Sequence, residues 1–136
     1  MEVAEVLDSR ELENLVQRYF RAVDDEDLAG IFQTLGTDCT FTVETHQVNL
    51  RGHDQIAAMF RRLWDHHQSV RHDRFRFVTD AGAGMVAVQF RVTNTLKNGG
   101  NVFKSNCNFF EVKGGKFCRV NVYMAGENTL DLPGSD

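Results

Sequence analysis

This sequence has little of several features that mark specialised classes of protein. It contains one proline and three cysteines without a CxxC pair, so neither a disulfide framework nor a zinc knuckle is indicated. No apolar run approaches the length of a membrane span, and the first residues are acidic where a secretory signal is basic. At a net charge of −4 the basic residues are scattered, which argues against a nucleic-acid surface. We expect a cytoplasmic protein with no nucleic-acid or membrane partner.

The chain does have enough apolar material for one core. Of its 136 residues 42% are hydrophobic, including 11 phenylalanines, which suits a single domain that needs no disulfide or metal to fold. We assign residues 1–125 to this domain. Residues 126–136 have turn composition and are interpreted as a C-terminal tail.

Three segments carry apolar residues at helical spacing. The first spans 12–23 and follows Asp8, which begins a capping box. The second spans 28–35 and follows an acidic run, which we interpret as a helix cap rather than a site. The third spans 56–64 and ends near a histidine pair, 66–67, interpreted as a solvent-exposed terminus.

Period-two alternation then predicts strands. A short strand pair around a turn at 45–47 is followed by four long runs joined by glycine-containing hairpin signals, at 70–79, 85–96, 102–112 and 116–124. The helices must bury their apolar stripes on one face of this sheet, and a long twisted sheet curls around what it covers. The sequence predicts an α+β fold, with three N-terminal helices on a strongly curved antiparallel sheet that encloses an apolar pocket.

Short segments along the chain resemble one known superfamily. They are QRYFRAV at 17–23, DLAGIF at 27–32, DCTF at 38–41, RGHDQI at 51–56, RH at 71–72, FEVKGGK at 110–116 and VNVY at 120–123. In this order of helices and strands they resemble the NTF2-like proteins: nuclear transport factor 2, ketosteroid isomerase and the SnoaL-like polyketide cyclases. The resemblance spans about residues 10–125 and implies the cone-shaped fold of that superfamily.

The ketosteroid-isomerase branch implies three catalytic positions. Tyr19 matches the tyrosine of the first helix, whose hydroxyl donates to a developing oxyanion; the alternative is a core tyrosine. The base position of the first strand falls on Val43, which takes no proton. The acid position of the penultimate strand falls on Asn108, whose amide donates a hydrogen bond but does not titrate. The usual carboxylate base of the isomerases is therefore missing.

His72 is a different candidate base. It stands where many SnoaL-like and dehydratase-like members place a histidine, and imidazole side chains titrate near neutral pH. Charged neighbours on both sides leave a half-exposed strand histidine as the alternative.

Two amides and a set of apolar residues are the candidate ligand contacts. Asn106 and Asn108 share one strand face, which suggests a bound water or a ligand carbonyl, or else pairing with Asn94 or Asn121. The apolar candidates, placed by period and by the resemblance, are Phe60, Trp64, Val43, Val88, Phe90, Phe110, Val122 and Met124. For each of these a place in the core is the alternative.

Other site chemistries lack their motifs. The histidines form no HxH or HExxH pattern, and no GxSxG elbow or phosphate-binding glycine loop occurs. We expect neither a metal nor a cofactor.

Two functions of different class follow. The first is an isomerase, cyclase or dehydratase that acts without a cofactor on a small, largely apolar, carbonyl-bearing molecule. In it Tyr19 and Asn108 hold the oxyanion and His72 moves the proton. The second is a non-catalytic ligand-binding or dimerisation module of the same fold, which the missing base favours. The resemblance also implies a homodimer through the convex sheet face, where Phe103 and Phe109 are predicted to be exposed.

Overall fold

The structure is a computed structural model that describes residues 6–125, so the tail assigned to 126–136 lies outside the described residues. Within that range the chain forms three α-helices and six strands. The helices are α1 (Ser9–Asp24), α2 (Leu28–Thr34) and α3 (Gly52–His66), and the strands are β1 (Leu35–Val43), β2 (Val48–Arg51), β3 (His67–Asp80), β4 (Met85–Leu96), β5 (Asn101–Lys113) and β6 (Lys116–Tyr123). None of the described helices has the length and apolar composition to cross a membrane.

The start of α1 is the capping box that the sequence predicts. The Asp8 carboxylate accepts a hydrogen bond from the Glu11 backbone N–H at 2.8 Å, and the Glu11 carboxylate accepts from the Asp8 backbone N–H at 3.0 Å. Two otherwise unpaired groups of the first turn are thereby satisfied. The buried stripe of α1 faces the sheet and includes Leu12, Val16 and Tyr19.

The six strands form one sheet in the order β2-β1-β6-β5-β4-β3. Neighbouring strands run antiparallel except β1 and β6, which are parallel, with Phe41 beside Val120. The predicted α+β fold with three helices on a curved antiparallel sheet is confirmed, and the β1–β6 pairing is the one parallel exception among the described strands. Alternation along a strand tells which face a residue occupies, but it carries no information about the direction of the neighbouring strand.

The junction of α2 and β1 also differs from the prediction. The helix was expected to continue through Leu35, but it ends at Thr34, whose hydroxyl donates to the Ile31 carbonyl at 2.6 Å. The strand begins at Leu35, which is fully buried and lies beside Phe117 of β6. The apolar Leu35 therefore fits the helical period but belongs to the strand.

The histidine pair at the end of α3 was interpreted as a solvent-exposed terminus, and for His67 that interpretation is wrong, whereas His66 is half-buried. His67 is 2% exposed, and its Nδ1 lies 2.8 Å from the Leu63 carbonyl. No loop separates α3 from β3, so the chain turns directly from helix to strand and encloses the ring of His67.

Aromatic rings fill most of the space between the helices and the concave face of the sheet. Phe41, Phe60, Phe110 and Phe117 are fully buried. On the convex face the exposed fraction is 71% for Phe103 and 41% for Phe109, as predicted. The apolar core thus lies entirely inside the curl, and the outer face keeps apolar residues in solvent.

Candidate functional site

A small cavity, here called the inner cavity, lies between the concave face of the sheet and helices α1 and α3. Its volume is about 30 Å³, which holds a water molecule but not an organic ligand. The predicted site residues on its wall are Tyr19, His72, Asn108, Asn106, Phe60, Phe90, Val122 and Met124.

The other four predicted contacts do not line this cavity. Val43, Val88 and Phe110 are fully buried in the core. Trp64 packs against Phe60 at a ring distance of 5.8 Å and donates its indole N–H to the Val23 carbonyl at 3.1 Å. Strand alternation identifies residues that point inward, but it does not separate the wall of a cavity from the filled core beside it.

His72 is held by a carboxylate from the last turn of α1. Asp24 accepts the backbone N–H of His72 at 2.9 Å, and its other oxygen lies 2.5 Å from His72 Nδ1. Because a carboxylate only accepts, Nδ1 carries the hydrogen of this bond, and the neutral ring keeps Nε2 as its acceptor. The side chain of His72 is 8% exposed and lies against the rings of Phe20 and Phe90.

Asp24 is the site residue that sequence reasoning missed. The acidic run before α2 was interpreted as a cap, but only Asp27 of that run caps α2, through the Gly30 backbone N–H at 3.0 Å. Asp24 instead closes α1 and turns toward β3. Its spacing of four from Phe20 places it on the buried stripe of α1, and that was the available signal.

Tyr19 lies in an aromatic box. Its ring meets four phenylalanine rings edge-on, at centroid distances of 5.0 Å to Phe20, 6.3 Å to Phe60, 5.6 Å to Phe110 and 6.2 Å to Phe117. Burial raises the pKa of Tyr19 well above its usual value, and the negative charges that Cys39 and Asp24 can carry raise it further. The hydroxyl therefore remains a hydrogen-bond donor.

The two amides of β5 differ in their bonding. Asn106 accepts a hydrogen bond from the Ala125 backbone N–H at 3.2 Å. Asn108 is 2% exposed, and its buried Oδ1 finds no hydrogen-bond partner among the described residues. The suggested pairing with Asn121 does not occur, because that side chain donates to the Thr42 hydroxyl at 2.8 Å. A buried amide oxygen left unpaired costs about 1–3 kcal/mol, and such costs are typical of functional sites.

A larger cavity, here called the outer cleft, lies outside the inner cavity between α1 and β3. Its volume is about 540 Å³, and its lining combines aromatic, charged and neutral polar residues: Gln17, Phe20, Arg21, Asp24, Asp25, Ser69, Val70, Arg71, His72 and Phe75. Phe20, Val70 and His72 line both spaces. His72 therefore stands at the boundary, and the room for a ligand is at this polar entrance rather than in an apolar interior.

Among residues 6–125, no group of three or more histidine, cysteine, aspartate or glutamate side chains is arranged to hold a metal ion. Cys39 is buried, and Cys107 and Cys118 are partly buried free thiols.

Comparison with known proteins identifies a family. Residues 16–120 match the family model of the SnoaL-like domain, a span that includes both Tyr19 and Asn108. No protein of curated function matches the sequence significantly.

Several solved structures share the fold. A candidate polyketide cyclase from Xanthomonas campestris pv. campestris superposes with a TM-score of 0.78 at 19% identity, covering 84% of this chain and 90% of that one. An NTF2-like protein of unknown function from Burkholderia pseudomallei gives 0.74 at 17% identity, covering 85% and 91%. An LEH-like epoxide hydrolase from M. tuberculosis gives 0.70 at 20% identity, covering 85% and 84%. At these identities the likeness concerns the fold.

Proposed function

This chain belongs to the SnoaL-like domain family, and from that premise we propose that it is an enzyme that moves a proton on a small carbonyl-bearing molecule without a cofactor. The reaction is an isomerisation, a cyclisation or a dehydration. The observation that carries the proposal is the pair of Asp24 and His72 at the boundary of the inner cavity and the outer cleft.

His72 is the base in this proposal. Its Nε2 accepts a proton from the carbon next to the substrate carbonyl, and the electrons of that C–H bond move onto the carbonyl oxygen. Asp24 holds the ring in one tautomer through Nδ1 and stabilises the imidazolium that forms. In an isomerisation the same proton is returned from Nε2 to another carbon, and in a dehydration it goes to the leaving hydroxyl. In a cyclisation the enolate carbon bonds to a second carbonyl carbon, and the proton goes to the alkoxide that forms. The pair thus supplies the base that the valine at position 43 does not.

Tyr19 and Asn108 stabilise the oxyanion in this proposal. Tyr19 keeps its proton because burial raises its pKa, so it donates to the oxygen as negative charge develops there. Asn108 turns its NH₂ group to the same oxygen, since half a turn of the amide exchanges its nitrogen and oxygen.

The ligand approaches from the outer cleft. The inner cavity, at about 30 Å³, admits a carbonyl compound only after a side chain between the two spaces moves. Phe20 is that side chain, because it lines both spaces and stacks on Phe75 at 5.2 Å. Phe60, Phe90, Val122 and Met124 then cover the apolar part of the ligand, as the sequence predicts.

Deuterium exchange tests the proton transfer. β-Tetralone and acetophenone are incubated with the protein in D₂O, and loss of the α-proton signals is followed by NMR. We expect wild-type exchange above the buffer rate, a fall of about 10²-fold or more in His72→Gln, and a smaller fall in Asp24→Asn. His46→Gln is the matched control, because His46 lines neither the inner cavity nor the outer cleft. Exchange in His72→Gln at the wild-type rate refutes the assignment of the base.

A non-catalytic binding module is the second candidate function. It is favoured by Val43, which is fully buried where the isomerases place their base. The same experiment separates the two candidates. Saturable binding of β-tetralone, with exchange no faster than in buffer, supports the binding module and rejects the enzyme.

We further propose that the chain is a cytoplasmic homodimer formed through the convex face. Phe109 and Tyr123 make a ring contact at 6.0 Å on that face, with Phe103 exposed on the same strand as Phe109. Burying this apolar surface against a second copy removes it from water. Light scattering is expected to give twice the chain mass for the wild type and the chain mass for Phe103→Asp. A monomeric wild type refutes the dimer.

A further inference from the structure

Two arginines of the outer cleft have no partner within the described residues. Arg21 lies in the last turn of α1, and Arg71 lies on β3 directly before His72. Both side chains are exposed and line the outer cleft. Neither guanidinium has a hydrogen bond or an ion pair among residues 6–125. Two positive charges therefore face the space through which a ligand reaches His72.

The acidic residues of the outer cleft do not neutralise these arginines directly. Both oxygens of Asp24 are bound to His72, one to its backbone N–H and one to Nδ1. Asp25 is exposed and makes no ion pair with either arginine. The guanidinium donors consequently remain available to a ligand.

The remaining lining of the outer cleft defines what such a ligand looks like. A guanidinium group binds a carboxylate with two parallel hydrogen bonds, a geometry that a neutral oxygen does not match. Phe20 and Phe75 stack at 5.2 Å and offer an aromatic wall beside the arginines. Gln17 and Ser69 add neutral hydrogen-bonding groups. The complementary ligand is an organic acid with an apolar or aromatic body.

We propose that the outer cleft is a carboxylate subsite and that the substrate is a carbonyl compound that also carries a carboxylate. Arg21 and Arg71 hold the acid group, while the carbonyl end passes Phe20 toward His72. The carbonyl half of this inference rests on the proposed function. The carboxylate half rests on the outer cleft alone and can be measured without any reaction.

A pair of unreactive probes isolates the carboxylate. Hydrocinnamate and hydrocinnamamide share one phenylethyl body and differ in having an anionic carboxylate or a neutral amide as the head group. Titration calorimetry at low salt is expected to show that wild-type protein binds hydrocinnamate at least about tenfold more tightly than the amide. Arg21→Gln and Arg71→Gln should each weaken the binding of hydrocinnamate about threefold to tenfold and leave the affinity for hydrocinnamamide unchanged. Added salt should weaken the binding of hydrocinnamate and leave the binding of hydrocinnamamide unchanged.

Matched arginines provide the control. Arg18 lies on α1 and Arg76 on β3, and neither lines the outer cleft. Arg18→Gln and Arg76→Gln should each change the affinity for hydrocinnamate by less than about twofold. Circular dichroism and unfolding midpoints establish that all four variants fold. The positive charge of Arg21 also stabilises α1 by its interaction with the C-terminal end of the helix dipole. The role of Arg21 in the outer cleft is therefore judged from ligand binding and not from protein stability.

Three results overturn the proposal. They are equal affinity for the two probes, retention of the preference for hydrocinnamate in the double Arg21→Gln, Arg71→Gln variant, and no acid binding up to about 10 mM, a concentration well above a weak Kd. Failure of the proposed function looks different. In that case hydrocinnamate binds as expected while β-tetralone, which has no acid group, does not exchange its α-protons. If exchange occurs without any preference for the acid, only the subsite is lost.

Discussion

Asn108 and Asn106 offer a matched pair for measuring what an unsatisfied polar group costs this fold. Both lie on the inner face of β5, two residues apart, with exposed fractions of 2% and 7%. The Oδ1 of Asn106 accepts a bond from Ala125, whereas the Oδ1 of Asn108 has no partner among the described residues. Replacing each by valine removes the amide in both cases, so the difference between the variants isolates the missing bond.

The expected magnitudes have opposite signs. Asn108→Val removes a buried unpaired oxygen worth about 1–3 kcal/mol. The added bulk is small and lies beside a cavity of about 30 Å³, so overpacking costs little. We expect the variant to be about 1–2 kcal/mol more stable than the wild type. Asn106→Val leaves the Ala125 N–H without its acceptor and should lose about 1 kcal/mol.

Guanidinium unfolding followed by circular dichroism measures both variants. A difference of about 2–3 kcal/mol between them corresponds to roughly 6–15 °C in Tm for a domain of this size. The reasoning is refuted if Asn108→Val is destabilised as much as Asn106→Val. That result would mean that a bound water occupies the inner cavity and satisfies the amide. Proton exchange should fall in the stabilised Asn108→Val variant, because a site residue trades stability for function.

Three further predictions concern Tyr19, Cys39 and Trp64. Burial raises the pKa of Tyr19, so this tyrosine ionises first in the unfolded chain, and the free energy of unfolding should fall above about pH 10. Chemical unfolding at about pH 8 and 10.5 should show a smaller loss of stability in Tyr19→Phe than in the wild type. An equal loss in both proteins contradicts this. Burial raises the pKa of Cys39 to about 12. A thiol reagent at about pH 8 should therefore leave Cys39 unmodified in the native protein and label it in denaturant. Labelling of Cys39 in the native protein, found by mass spectrometry, contradicts this. Trp64→Phe removes the bond to the Val23 carbonyl and should cost about 1 kcal/mol in chemical unfolding; wild-type stability would show that the bond contributes nothing.

Local signals account for most of the fold that could be predicted. The range 85–96 matches β4 at both ends because glycine-containing turns flank a clear alternation. The start of α1 matches because its capping box is encoded within four residues. The start of β1 and its parallel pairing with β6 depend on contacts between distant parts of the chain, which no local window contains.

The candidate site shows the same division. Tyr19 and His72 could be placed from the resemblance, and both lie on the wall of the inner cavity. The role of Asp24 could not be predicted, because its partner His72 is 48 residues further along the chain. The small volume of the inner cavity could not be predicted either, since it depends on how completely the phenylalanine rings fill the curl. That Arg21 and Arg71 line one cleft could not be predicted, because they lie on α1 and β3, which come together only in the folded chain.

β1 lies between β2 and β6, so one of its hydrogen-bonding edges stays open until the last strand has formed. A ribosome completes α1, α2, β1 and β2 long before it reaches Val120, which pairs beside Phe41. During that interval a strand rich in buried residues has no neighbour on one side, and such an edge can pair with another chain. Closing a contact across most of the domain is also entropically slow. Substitutions in β6 should therefore affect the yield and the rate of folding more than substitutions of equal cost in α1.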